Sequence, residues 1–259
     1  MSASVISVKY DATFLRLPDE FKVIVPSSGE LKDMKVLLLL HGMHGNCDDW
    51  INFTNIIRLA ENHHVAVIMP SARNSFYTDM VYGEPYYREI TEEVMGLARR
   101  MFGFSAKRED NMIAGLSMGG FGAFKIAFNN PDRYFAAGSF SGALNILDLD
   151  GLKTEDEGAN KANEKLFRNI VGEKTSFAGT ENDLAALVKM NKTVNGYSIK
   201  DMRLYQYCGN TDFLYLYNMG FKKILEENGM RFTFHTDGGS HDWERWNEQI
   251  ALFLNEFAQ

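Results

Sequence analysis

The sequence predicts an α/β protein with a mostly parallel central sheet flanked by helices. Two observations carry that prediction. Runs such as "KVLLLL" (35–40), "VAVIMP" (65–70) and "NMIAGL" (111–116) are apolar at nearly every position, as strands covered on both faces must be. Between them lie stretches whose apolar residues return every three or four positions, and that alternation is the pattern of strands joined by crossover helices.

In chain order, "SVKY" and "KVIV" alternate in polarity and read as opening strands. After the three solid runs come "YFAAGSFSG", "RLYQYCG" (203–209) and "RFTFHTD" (231–237) as further strands. Helices are expected over 48–62, 85–102, 118–129, 213–228 and 242–257. From 145 to 201 no convincing strand occurs; "DGLKTEDEGANKANEKLF" and "GTENDLAALVKM" are polar, helix-leaning and punctuated by glycine. An excursion of that length needs structure of its own, so 145–201 is read as a small helical cap within a single domain, 1–259.

Composition excludes several classes of function. With 45% hydrophobic and 24% charged residues the chain is an ordinary globular sequence. A net charge of -7 opposes binding to a phosphate backbone, so no nucleic-acid partner is expected. The longest apolar run, Val36 to Leu40, falls far short of the roughly 20 residues that span a bilayer. The start "MSASVISVKYDATF" lacks the basic and apolar regions of a signal peptide, and Cys47 and Cys208 are too few for a disulfide framework. A cytoplasmic protein with free thiols is expected; the sequence leaves a homo-oligomer open.

Ser117 is the polar residue that needs explaining. It stands between the run 112–116 and a helical pattern in which Phe121, Phe124 and Phe128 share a face, Lys125 falls off it and Pro131 ends it. A hydroxyl there is either hydrogen-bonded filler at a tight turn or a working group. Gly115, Ser117 and Gly119 form G-x-S-x-G in a strand-turn-helix context, where the glycines let backbones approach and the turn holds the serine hydroxyl out above a helix N-terminus. That context favours a nucleophile.

A serine nucleophile needs a base and an orienting acid, which follow it in that order of serine, acid, histidine after such a motif. Of six histidines only His235 and His241 follow Ser117; His235 lies inside an apparent strand, whereas His241 lies in the loop "DGGSHDWERW" and is chosen. Asp212, just past the strand ending at Cys208 and Gly209, is the preferred acid, with helix N-capping as its plainer reading. Asp237 and Asp242 are its rivals; Asp242 adjoins the histidine, which makes a facing hydrogen bond awkward.

Charge developing on a substrate oxygen would need preorganised N–H donors. Met118, at the helix start, offers one; Met43, in the loop "HGMHGNCDDW", offers the second. His41, His44 and Cys47 cluster in that loop, but their spacing fits no zinc motif and no metal is expected. Trp50, Phe213, Trp243 and Trp246 flank the candidate site and read equally as pocket lining or core.

Together, "LLLLHGMHGNCDDW", "VAVIMPSARNSFYTDMVYG", "NMIAGLSMGGFGAFKIA", "YCGNTDFLY" and "GSHDWERW" resemble the tributyrin esterase (EstA-type) family, in the esterase D branch of the α/β-hydrolases. The resemblance runs from Val5 to Phe257. It implies an α/β-hydrolase fold, Ser117, Asp212 and His241 as catalytic triad, Met43 and Met118 as oxyanion donors, no cofactor, and a small-molecule ester of acetyl to butyryl length as substrate. The alternatives it carries are an acyltransferase and an S-formylglutathione hydrolase or feruloyl esterase with the same triad. The stretch "DLDGLKTEDEGANKANEKLF" departs from the family pattern.

Overall fold

The computed structural model describes residues 3–144, 156–173 and 176–258. Its centre is an eight-stranded sheet. The strands in chain order are β1 (Ser4–Ala12), β2 (Leu17–Val25), β3 (Lys35–Leu40), β4 (Val65–Pro70), β5 (Asn111–Leu116) and β6 (Ala136–Phe140). A two-stranded hairpin, β7 (Thr193–Val194) and β8 (Tyr197–Ser198), stands apart, and β9 (Arg203–Tyr207) and β10 (Phe232–His235) complete the sheet in the order β1-β2-β4-β3-β5-β6-β9-β10. β1, β2 and β4 pair antiparallel, and every other neighbour in the large sheet pairs parallel. This is an α/β-hydrolase-type fold.

The helices follow from what each strand must hide. α1 (Asp49–Phe53), α2 (Ile56–His63) and α9 (Trp243–Phe257) cover one face, burying Leu37, Leu39, Val67, Met112 and Ala114 with Trp50, Ile250 and Phe253. α3 (Tyr86–Arg88), the π-helical turn Glu89–Val94, α4 (Met95–Phe102), α5 (Met118–Asn129) and α8 (Tyr215–Glu227) cover the other, with Leu38, Leu40 and Ile113 inside. Strands sandwiched in this way can be apolar at every position, and all six residues of β4 and of β5 are buried.

Three departures from the sequence reading have local causes. The helix expected over 48–62 breaks at Thr54 and Asn55, because the Thr54 hydroxyl donates to the Trp50 carbonyl and the Asn55 N–H is taken by Asn247 of α9 at 2.7 Å. The opening strands are longer than expected, since the hairpin pairs Ser4–Ala12 along its whole length. Lys125 does not fall outside the packed surface of α5: its side chain is 1% exposed, because α5 is covered by neighbours on nearly every side. Between β6 and β9 the described residues form α6 (Glu157–Val171), α7 (Leu184–Lys189) and the β7–β8 hairpin, two short strands in a stretch read as having none; the helical cap read over 145–201 falls partly outside the described residues.

The turn from β5 into α5 is a tight joint. Ser117 has φ 53° and ψ -118°, a costly conformation for a residue with a Cβ. A Cβ at Gly119 would lie 2.5 Å from the Leu40 carbonyl oxygen and 2.6 Å from that of His41, so only glycine lets α5 start against the end of β3. Gly119→Ala should therefore lower stability by about 3 kcal/mol through forced backbone movement. Gly96→Ala, where a Cβ in α4 would meet nothing closer than the Arg100 side chain at 3.5 Å, should raise it by up to about 1 kcal/mol. Urea unfolding of the two variants tests the contrast.

Candidate active site

Four strand ends meet at one edge of the sheet, all of them carboxyl ends. β5 delivers Ser117, the loop after β9 delivers Asp212, the loop after β10 delivers His241, and β3 runs out into His41–Gly42–Met43. The loops of the acid and the histidine are laced together: Asn210 N–H donates to the Asp237 carbonyl at 2.8 Å, and Thr211 donates through both its N–H and its hydroxyl to the Gly239 carbonyl. Residues distant in sequence are thereby fixed in register.

The result is a continuous hydrogen-bonded chain. Ser117 Oγ lies 3.1 Å from His241 Nε2, and His241 Nδ1 lies 2.8 Å from Asp212 Oδ2. A carboxylate can only accept, so Nδ1 carries the proton and Nε2 is left to accept from the serine hydroxyl. Asp212 is 4% exposed, and its other carboxylate oxygen accepts from the Leu214 N–H at 2.8 Å. Burial alone would raise its pKa, but the hydrogen bond and charge of His241 and the Leu214 N–H together hold it below the usual carboxylate value.

The rival carboxylates are engaged elsewhere. Asp237 accepts from the Tyr207 hydroxyl at 2.8 Å and from the Gly239 N–H. Asp242 caps α9, accepting from the Arg245 N–H at 3.0 Å. His235 ends β10 with its ring against Tyr205.

Met43 and Met118 both stand beside the serine. Met118 opens α5, where N–H groups have no partner within the helix, and among the described residues neither its N–H nor that of Met43 is taken by a protein acceptor. The loop bearing Met43 is pinned by His41, whose Nε2 accepts from the Ala72 N–H at 2.9 Å and whose Nδ1 donates to the Gly42 carbonyl at 2.6 Å. Burial pushes the His41 pKa down to about 4, so the ring is neutral and one tautomer satisfies both bonds.

A pocket of about 590 Å³ opens over Ser117, lined by Met43, His44, Asp49, Phe53, Leu116, Phe213, His241, Trp243 and Trp246 among others. Three of the four expected aromatics are there; Phe213 is 72% exposed with its ring 4.6 Å from that of His241. Trp50 is the correction. It is 1% exposed, its indole N–H donates to the Leu40 carbonyl, and its ring backs Trp243 edge-on at 5.5 Å, so it supports the wall without reaching the pocket. The sequence reading missed Phe53, His44 and Asp49 as lining residues. Their signal was their place just after β3: His44 lies in the β3–α1 connection beside Met43, and Asp49 and Phe53 open and close α1.

His41, His44 and Cys47 do not converge. His41 faces Ala72, His44 lies beside Asn74, and Cys47 points toward Glu20. Glu20, Cys47 and Asp48 do bring potential ligand atoms together, but Lys22 lies 3.5 Å from Glu20 and 3.3 Å from Asp48, so a cation of the protein's own already sits between the two carboxylates. Burial pushes the Cys47 thiol up to about 11 and raises Cys208 further, leaving two unreactive thiols. Among the described residues no helix is long and apolar enough to cross a membrane.

A mostly parallel sheet carrying a serine, a histidine and an aspartate at its carboxyl ends defines a serine-hydrolase type of protein. The family model described as "Putative esterase" matches residues 14–257, and the chain belongs to that family. An acetyl esterase of Caldicellulosiruptor saccharolyticus is 34% identical over 221 residues, 85% of this chain and 82% of that protein. Among solved structures, the fluorophosphonate-binding serine hydrolase FphF of Staphylococcus aureus superposes with a TM-score of 0.87 at 30% identity, covering both chains fully. The S-formylglutathione hydrolase FrmB of the same organism superposes with a TM-score of 0.82 at 29% identity, again over both full chains.

The lowered Asp212 pKa links this site to stability. A carboxyl whose folded pKa lies below its unfolded value, about 3.9, stabilises the fold above that value and loses the contribution as pH falls through the folded one. Urea unfolding of wild type and Asp212→Asn should show a stability gap at pH 7 that narrows below about pH 4.

Proposed function

We propose that this esterase is a serine carboxylesterase of the tributyrin esterase type, hydrolysing acetyl to butyryl esters through an acyl-enzyme. The observation that carries the reading is the chain Ser117–His241–Asp212 at the floor of an open pocket, with two untaken N–H groups beside the serine. Ser117 Oγ attacks the ester carbonyl as His241 Nε2 takes its proton, and the Met43 and Met118 N–H groups receive the oxyanion. His241 then protonates the departing alcohol. Water, deprotonated by the same imidazole, attacks the acyl-enzyme and releases the acid and Ser117. Asp212 holds the Nδ1 tautomer and stabilises the imidazolium, and no cofactor enters.

The same reading takes the chain as one domain with a cap over 145–201, in the cytoplasm. Likeness to FrmB favours a second reading, in which the substrate is a thioester and the leaving group its thiol. kcat/KM for S-formylglutathione against p-nitrophenyl acetate separates the two.

A fluorophosphonate probe should label the protein at Ser117 and fail to label Ser117→Ala; labelling that survives the substitution would overturn the assignment. Asp212→Asn should lower kcat by about 10⁴-fold through the wrong imidazole tautomer, whereas Asp237→Asn should leave it near wild type.

The short-acyl part of the proposal is supported by the likeness to an acetyl esterase. An added methylene contributes about 0.8 kcal/mol only where an apolar groove buries it. If Leu116, Trp243 and Trp246 of the lining stop a longer chain, its carbonyl is displaced, and about 1 Å of displacement costs about 100-fold. Across p-nitrophenyl esters of two to twelve carbons, kcat/KM should peak at or below four; a rise continuing past eight would mean an open acyl groove.

A further inference from the structure

Lys125 has no part in the mechanism above, yet it is fully buried in the helix that follows Ser117. Its Nζ donates to the Tyr77 carbonyl at 2.7 Å and lies 4.6 Å from the centre of the Tyr87 ring. Burial pushes its pKa down to about 7 against the opposing charges of Glu181 and Asp79. Ammonium and amine both donate hydrogen bonds, so the contact survives either state. Burying such a group is costly, and a methionine would fill a similar volume without that cost.

At the other end of this contact stands a strained residue. Tyr77 has φ 54°, directly after Phe76 at 50° and close to Arg73 at 46°. Left-handed backbone at an aromatic residue is strained and persists only where the surroundings impose it. The Tyr77 N–H donates to the Ser75 hydroxyl at 3.1 Å, and two contacts with α5 add to that hold. Lys125 holds the Tyr77 carbonyl, and the Tyr77 side chain packs against Gly122 of α5, where any Cβ would overlap it. The ring is thus clamped to the helix that carries Ser117 at its start.

The Tyr77 hydroxyl, buried with the rest of the side chain, donates to the His41 carbonyl at 2.8 Å. That carbonyl opens the stretch His41–Gly42–Met43. Its ring already fixes the Gly42 carbonyl, so both peptide planes ahead of the Met43 N–H are held by hydrogen bonds.

We infer that Lys125 and Tyr77 form a buried positioning brace, from α5 through the Tyr77 ring to the His41 carbonyl, that fixes the aim of the Met43 N–H relative to Ser117. The inference rests on reading Met43 as an oxyanion donor and deepens it. The brace ties the loop carrying one donor to the helix carrying both the nucleophile and the other donor, so the three move as one body. Neither residue touches substrate. Their effect appears only where an oxyanion develops.

The test compares Tyr77→Phe, Lys125→Met and the double variant on p-nitrophenyl acetate, with binding of a trifluoromethyl ketone, which forms a tetrahedral adduct on an activated serine. Losing an oxyanion donor outright costs about 100- to 1000-fold in kcat, so loosening one should lower kcat about tenfold in each single variant with KM changed by less than about twofold. Ketone affinity should fall by the same factor as kcat, and the double variant should be no worse than the weaker single one, because one brace is cut once. Tyr77→Phe removes only the hydroxyl and decides the matter alone if Lys125→Met does not fold. Unchanged kcat in Tyr77→Phe, or a higher KM with unchanged ketone affinity, would overturn the brace. A wild-type protein that neither turns over the ester nor takes a fluorophosphonate would overturn the esterase reading and the brace with it.

Discussion

The close approach of α5 to the end of β3 is the constraint on which the site depends. Ser117 occupies a left-handed conformation because the chain must turn from strand to helix within one residue, and the helix can start there only because Gly119 presents no Cβ to the Leu40 and His41 carbonyls. That contact sets the depth at which the serine hydroxyl emerges. It also sets the spacing between the start of α5 and the loop that leaves β3, and so between the two untaken N–H groups. A substituent there would move hydroxyl and donors together.

Parallel pairing supplies the rest. β3, β5, β6, β9 and β10 all end at the same edge, so every loop leaving them converges there regardless of separation in sequence. His241 is 124 residues from Ser117 yet lies 3.1 Å from it. The electrostatics follow from this placement. Asp212 is buried but ionised because His241 and a backbone N–H outweigh its desolvation, whereas at His41 and the two cysteines burial outweighs the partners that favour charge and keeps them neutral.

Strand and helix periodicity was legible because burial on both faces leaves few sequence solutions: β3 and β4 begin and end where their apolar runs do. The break in the helix predicted over 48–62 was not legible, since it depends on Asn247 reaching Asn55 from the far end of the chain. Lys125 was misjudged for a related reason. A cation off the apolar stripe reads as solvent-facing until the Tyr77 carbonyl and the Tyr87 ring are seen to enclose it.

The sequence by itself determined the class of fold, the strand-turn-helix at Ser117, and a short set of candidates for acid and base, because these rest on local spacing and on the order of residues along the chain. Tertiary structure alone decided among them. It placed Asp212 on His241 while giving Asp237 to Tyr207 and Asp242 to the α9 cap, and it put Trp50 behind the pocket wall and Phe53 in it. The physical reason is that a hydrogen bond or a wall contact is a matter of ångströms between elements, whereas sequence spacing fixes distance only within one element.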